Sequence, residues 1–327
     1  MQRSFEIVKN KVETLLADGT VNRVMAWKTG EFFYDNTPNL FNEEDNLEGF
    51  VYNNFCGSNL SKYMIKESKK DGKILVLLKP CDTYSFNQLI KEHRINRENI
   101  YVLGLGCNGM LDINKIKDLG IKGITKVDDN DKELIIDTIY GKKICNKNDV
   151  LLDKCLTCKG KKHMVYDELL VDDEDIMEAR EDRFKLVEEL EAMSPKERFE
   201  FWRGELSKCI RCNACRNVCP ACSCVTCVFD NENSGVASKA NTDSFEENLF
   251  HIIRAFHVAG RCTDCGECSR VCPQHIPLHL LNRKIIKDIN ELYGEYQAGV
   301  NIDSPMPLTS FTKEDVEPSI VDKKGGE

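Results

Sequence analysis

The chain has 327 residues, a formal net charge of -9 and 41% hydrophobic residues. That length suggests two or three domains, the apolar fraction excludes a disordered chain, and the acidic balance argues against a nucleic-acid-binding face. No apolar run reaches the roughly 18 residues of a membrane span, and the N-terminus lacks a signal peptide's apolar core, so a cytoplasmic protein is expected.

Residues 2–17 place Phe5, Val8, Val12, Leu15 and Leu16 on one helical face. A strand is predicted over 21–27 and a helix over 59–69. KILVLL at 73–78 and NIYVLGLG at 99–106 are unbroken apolar runs, and the TYSFNQLIKEH between them has helical spacing. Strand, helix, strand with such runs reads as a parallel βαβ unit. Further strands are predicted over 123–127 and 133–138. Residues 1–165 thus read as a small α/β domain with a mostly parallel sheet.

A connector follows over 166–207. Its segment 171–191 has ten acids against three bases and reads as a solvated helix. Ser194-Pro195-Lys196-Glu197 has the pattern of a capping box with proline at the first helical position. Residues 244–259 read as an amphipathic helix with Phe245, Leu249, Ile252, Ile253 and Phe256 inward. A module over 208–295 holds two cysteine runs, and 296–327 is a proline-containing tail expected to be irregular and to wrap on a partner.

Seventeen cysteines in a reducing compartment point to metal or redox chemistry rather than disulfides. Cys209, Cys212, Cys215 and Cys219-Pro220 have the C-x2-C-x2-C-x3-C-P spacing, and Cys262, Cys265, Cys268 and Cys272-Pro273 repeat it. In two-cluster ferredoxins the fourth cysteine of each run ligates the other run's cube. One 4Fe-4S cube is therefore assigned to Cys209, Cys212, Cys215 and Cys272, the other to Cys262, Cys265, Cys268 and Cys219. Zinc, which paired CxxC motifs also bind, is the competing reading. About forty residues separate the runs, making this a helical ferredoxin module. It resembles the C-terminal modules of fumarate reductase iron–sulfur subunits and the ferredoxin-type subunit of heterodisulfide reductases, especially in GRCTDCGECSRVCPQHIPLHLL. His275 and His279 lack ligand spacing and read as packing or capping residues.

In the α/β domain Cys81 follows one parallel strand, in KPCD, and Cys107 the next, in GLGCNG. Ligands gather at the carboxyl ends of parallel strands, so these two cysteines face one site. With Cys155 and Cys158 of KCLTCKG they supply four thiolates for a third cube, the alternative being four buried or reactive thiols. PCD, then GCNG, then CxxC resembles the beta subunits of deazaflavin-reducing hydrogenases and formate dehydrogenases over residues 50–165. The resemblance implies a 4Fe-4S cluster at these cysteines beside a flavin. The family's flavin-binding region beyond the CxxC is replaced here by the acidic connector and the ferredoxin module. Cys222, Cys224 and Cys227 remain. With Cys56 or Cys145 as a fourth ligand they form another cluster; otherwise they are thiols in the shell of the second cube.

These readings imply an iron–sulfur electron-transfer subunit of an anaerobic cytoplasmic oxidoreductase complex. Hydrogenase, formate dehydrogenase or heterodisulfide reductase-like complexes, electron-bifurcating ones included, are implied by resemblance. Partners would be flavin- or metal-bearing redox subunits, with ferredoxin a further candidate, and neither nucleic acid nor membrane. The alternative is a flavin-dependent reductase of a deazaflavin or similar carrier, with FAD in the N-terminal domain. Lys208, Arg211, Arg216, Arg261 and Arg270, set among the ligands, either keep the surface soluble, dock an acidic partner or raise cluster potential.

Overall fold

The computed structural model describes residues 2–42, 47–130, 132–160, 162–170, 182–234 and 244–308. In the first half α1 (Gln2–Ala17) precedes β1 (Arg23–Thr29), β2 (Asn36–Asn42), β3 (Phe50–Val51), α2 (Met64–Glu67) and β4 (Ile74–Leu78). Then come α3 (Pro80–Lys91), β5 (Ile100–Gly104), α4 (Ile113–Asp118), β6 (Ile124–Asn130), β7 (Glu133–Thr138), β8 (Gly141–Asn146), α5 (Asp153–Leu156) and β9 (Glu168–Leu169). Val8, Val12 and Leu15 of α1 are buried, as helical spacing requires.

The main sheet runs β2-β1-β4-β5-β9, with β3 also paired to β1. β1, β4, β5 and β9 are mutually parallel at each contact, while β2 and β3 are antiparallel to β1. Every residue of β4 is buried. A strand covered on both faces has no solvent side on which to alternate, hence its unbroken apolar run. β4, α3 and β5 form the expected βαβ unit, and its register pairs Leu78 with Gly104, so both strands end side by side. Cys81 then falls in the first turn of α3, which starts at Pro80, and Cys107 lies just beyond β5. The sheet runs past residue 165, since Glu168–Leu169 pairs with β5.

β6 and β7 do not join this sheet. With β8 they make a separate three-stranded antiparallel meander, whose turn leaves Ile139 and Tyr140 exposed. Short turns favour pairing between sequence neighbours over a crossover to a distant parallel strand.

The second half consists of α6 (Lys185–Ala192), α7 (Pro195–Leu206), α8 (Ala214–Val218), α9 (Ser244–His257), α10 (Glu267–Arg270) and α11 (Leu278–Tyr293). The capping box of α7 forms: Glu197 N donates to Ser194 Oγ at 3.3 Å and Ser194 N to Glu197 Oε2 at 2.9 Å. Residues 171–181 of the acidic segment lie outside the described residues. Its later part is not a purely solvated helix, because α6 buries Val187 and Leu190 against Leu280 of α11.

The expected inward face of α9 is also corrected. Phe245, Ile252 and Phe256 are exposed, and the buried face carries Glu247, Phe250, His251 and Arg254. This helix faces cysteine sulfurs, which accommodate polar groups that a hydropathy pattern assigns to water.

Charged and polar contacts join the halves. Lys154 of α5 pairs with Glu267 of α10, whose other oxygen accepts from Asn59 N at 3.2 Å. Arg261 Nε donates to Glu92 Oε1 at 2.9 Å, and Ser85 Oγ lies 2.8 Å from Thr263 Oγ1. The described part of the tail has no helix or strand over 294–308. It packs on α3 of its own chain: Lys91 Nζ donates to Asn301 O at 3.3 Å, and Gly299, at φ +83°, lies against Tyr84 O, where a Cβ would come within 2.0 Å. Residues 309–327 lie outside the described residues. Among the described residues no helix is long and apolar enough to cross a membrane.

Candidate metal centres

The two ferredoxin runs share one backbone pattern. In the first, Arg211 and Asn213 have φ of 54° and 61°; in the second, Asp264 and Gly266 have φ of 53° and 68°. Both pairs flank the middle cysteine of their loop. Left-handed residues next to right-handed ones turn successive N–H groups into one concavity, a nest that suits an anion such as an iron–sulfur centre. Three non-glycine residues held in this sparsely populated region mark a loop whose shape its surroundings impose.

The first loop wraps a cavity lined by Cys209, Cys212, Cys215 and, from the far run, Cys272. Arg211 N points at Cys209 Sγ (3.4 Å), and His251 Nε2 lies 3.2 Å from the same sulfur. His251 is fully buried, and burial with the Arg254 and Arg211 charges pushes it down to about 3, so it is neutral, with one ring nitrogen protonated and Nε2 in hydrogen-bond reach of Cys209. Burial pushes Cys215 up to about 12.

In the second set Cys219 packs against Cys262, and Cys265 and Cys268 lie within electrostatic range of Cys219. Asn282 Nδ2 approaches Cys268 Sγ at 3.9 Å. Burial pushes Cys262 up to about 12 and raises Cys265 and Cys268. The two sets adjoin: the buried Arg254 guanidinium is within range of Cys215 in one and of Cys219 and Cys268 in the other.

The α/β cysteines also meet. Cys81, Cys107, Cys155 and Cys158 line one cavity, and Asp264 and Cys265 of the ferredoxin loop complete its wall. Gly160 permits this closure, for a Cβ there would come within 2.9 Å of three Cys81 atoms. Met110 N donates to Cys155 Sγ and Gly160 N to Cys158 Sγ, both at 3.4 Å. Cys81 is raised by its hydrogen bond to Cys158 and by burial, Cys107 is pushed up to about 12 by burial, and Cys155 is raised by burial. Three of the four thiols are held protonated in this way, whereas the hydrogen bond from Cys81 lowers Cys158, so burial opposes the joint ionisation that a cluster needs. A metal that displaces the protons removes that obstacle.

The cations in this wall are buried too. Lys79 pairs with Asp82 at 2.8 Å with both side chains 1% exposed, and Lys154 pairs with Glu267. Lys159 Nζ is buried without a hydrogen-bond partner, 5.2 Å over the Tyr84 ring. A cube with four thiolates is a net anion, so buried cations and N–H donors around each set fit such a group. Among the described residues no three His, Cys, Asp or Glu side chains converge as they would on one ion; a cube spreads its thiolates over four corners.

Cys222, Cys224 and Cys227 line a different cavity of about 820 Å³ between α2 and the ferredoxin half, with Lys62, Arg216, Arg254 and Arg261. Neither Cys56 nor Cys145 reaches it. Cys56 is fully buried in the α/β core, receiving Asn53 N at 3.4 Å, and Cys145 sits on β8. Cys222 instead hydrogen-bonds Cys219, which favours the Cys219 thiolate.

Of the basic residues, Arg211 lies 4.7 Å over the Phe250 ring, Arg216 pairs with Asp230 at 2.7 Å and Arg270 with Glu267 at 2.8 Å. With Arg261 on Glu92, these four are tied to groups within the chain; Lys208 pairs with Glu205 on the surface. His279 Nδ1 lies 2.8 Å from Ser269 Oγ, a packing role as expected. Sequence reasoning missed His251, Arg254, Asn282 and Lys159. The available signal was two polar residues three apart on α9, sharing a face with Phe250.

A protein-family profile described as a 4Fe-4S dicluster domain matches residues 205–276. The chain is 24% identical to the F420-dependent formate dehydrogenase subunit beta of Methanocaldococcus jannaschii, covering 91% of this chain and 92% of that protein. It is 26% identical to the F420-dependent formate dehydrogenase 1 subunit beta of Methanococcus maripaludis, covering 90% of each. A chain of the F420-reducing [NiFe] hydrogenase complex from Methanosarcina barkeri aligns at 13% identity and TM-score 0.37, covering 46% of this chain and 58% of that one.

Proposed function

We propose that this chain, a homologue over nine-tenths of its length of formate dehydrogenase beta subunits and the bearer of a 4Fe-4S dicluster domain, is an iron–sulfur electron-transfer subunit of an oxidoreductase complex. The observation that carries this reading is the serial contact of three thiol sets. The first adjoins the second around Arg254, and Cys265 of the second lines the cavity of the third. Cys209, Cys212, Cys215 and Cys272 would hold one cube, Cys219, Cys262, Cys265 and Cys268 the next, and Cys81, Cys107, Cys155 and Cys158 the third. Bound cubes supply one-electron redox centres.

The chain's own residues supply the setting. The parallel strand ends hold Cys81 and Cys107 together, and Gly160 lets the CxxC loop close over them. His251 and backbone amides lie within hydrogen-bond reach of the sulfurs, and Cys155, Cys215, Cys219 and Cys268 are buried from water. Partner redox subunits, formate dehydrogenase-like as in the relatives, would provide donor and acceptor. All seventeen cysteines are unpaired, which suits a reducing, cytoplasmic compartment.

Iron and acid-labile sulfide counted on anaerobically purified protein test the reading. About twelve irons per chain are expected, against about eight for the ferredoxin module alone. Co-purification of a catalytic redox subunit from the native cell is expected as well. A chain that runs alone and releases flavin on denaturation would point to the reductase alternative instead.

A further inference from the structure

Arg254 is the fourth residue from the end of α9, and its side chain turns into the protein. It is 3% exposed, yet none of Nε, Nη1 and Nη2 meets an oxygen acceptor; the hydrogen bond the guanidinium makes is to the Cys268 sulfur. Four other buried or half-buried cations have acceptors: Lys79 has Asp82, Lys154 has Glu267, Arg283 has Asp264 and Arg261 has Glu92; Lys159, which also lacks one, lies over the Tyr84 ring. A buried charge with no charged partner is strongly disfavoured, so an anion belongs beside this one. The groups around the guanidinium are sulfurs. Cys215 comes from the first thiol set, Cys219 and Cys268 from the second, and Cys222 hydrogen-bonds Cys219.

We propose that Arg254 is a positioning residue shared by the two ferredoxin centres, a single internal counter-cation that raises the reduction potential of both. The inference rests on the assignment of the two ferredoxin sets under the function proposed above. A fixed positive charge stabilises the reduced, more negative state of a nearby centre over its oxidised state, and potential rises accordingly. Its position sets it apart from the other groups that touch these sulfurs. His251 reaches Cys209 and so acts on the first set, and Asn282 reaches Cys268 and so acts on the second. Arg254 lies at the junction, so one substitution should move two potentials in the same direction.

The test uses the full chain, purified anaerobically as wild type, R254Q and R254K, with iron counted and the reduced centres titrated by EPR. The expected result is wild-type iron in R254Q with both ferredoxin-module midpoints shifted to more negative values. R254K should recover most of both shifts, since it restores the charge. Unchanged midpoints in a fully loaded R254Q would overturn the proposal. So would R254K matching R254Q, which would make the guanidinium's shape the cause. Should R254Q fail to load iron, R254K decides: wild-type iron and near-wild-type potentials support the counter-charge, and an equal loss of iron overturns it. Failure of the underlying assignment appears separately, as wild-type protein with fewer than about eight irons and no reducible signal.

Discussion

Replacing Glu267 by Gln removes one charge from the contact between the two halves and keeps the side chain's shape. Glu267 is 0% exposed and holds Lys154, whose side chain is 8% exposed, together with Arg270. In E267Q the Arg270 guanidinium, 23% exposed, can turn toward water, but the Lys154 ammonium cannot. Lys154 keeps the Gly57 carbonyl at 2.6 Å as its one uncharged acceptor. Breaking a buried pair from one side costs about 3–5 kcal/mol. The remaining carbonyl puts E267Q at the lower end, about 3 kcal/mol, or roughly a hundredfold in the folding equilibrium.

Anaerobic urea unfolding of the cluster-loaded protein, followed by circular dichroism, measures it. K154M should lose less than E267Q, because Glu267 retains Arg270, and the K154M/E267Q double variant should lose at least about 1 kcal/mol less than the sum. The pH dependence is fixed in sign. Burial opposes ionisation, but Lys154 and Arg270 together hold the Glu267 carboxyl well below the usual carboxylate range. A depressed carboxyl contributes its full stability above the unfolded value, near about 4.3, and loses it as pH falls toward the native value. The gap between wild type and E267Q should thus be constant at neutral pH and narrow below about 4.3. A single variant within about 0.5 kcal/mol of wild type at pH 7, or strict additivity in the double, would refute the reasoning.

His251→Leu removes the 3.2 Å contact to Cys209 and should make the first centre's midpoint more negative while leaving the second's in place; EPR titration separates the two. Gly160→Ala puts a methyl against the Cys81 backbone and should lower iron from about twelve to about eight per chain, with the ferredoxin signals intact. Ser194→Ala opens the capping box of α7 and should cost about 1 kcal/mol in thermal or urea unfolding, leaving potentials unchanged.

Much of the site was legible because its chemistry is local in sequence. The spacing of the cysteine runs and the apolar runs before Cys81 and Cys107 brought the thiol sets within reach of inference. The meander was legible as strands but not as a separate sheet, since strand patterns in 123–138 do not state their partner. α9 was misread for a physical reason. Its Phe245, Ile252 and Phe256 face outward, and the inward side holds groups that a hydropathy scale sends to water. Lys154 and Glu267 were invisible because a buried ion depends on a partner far along the chain, these two being 113 residues apart.

The closing of the two halves has a consequence for protein engineering. Two-cluster ferredoxin segments invite use as transplantable cassettes, cut at a linker and fused to another flavoprotein. This one would arrive with Glu267 stripped of Lys154, Arg261 stripped of Glu92 and Thr263 stripped of Ser85. A graft that carried only the cysteine spacing would carry the ligands without their electrostatic seat. A viable chimera has to bring residues 57–59, 85, 92 and 154 along with it, or supply their charges from the new host.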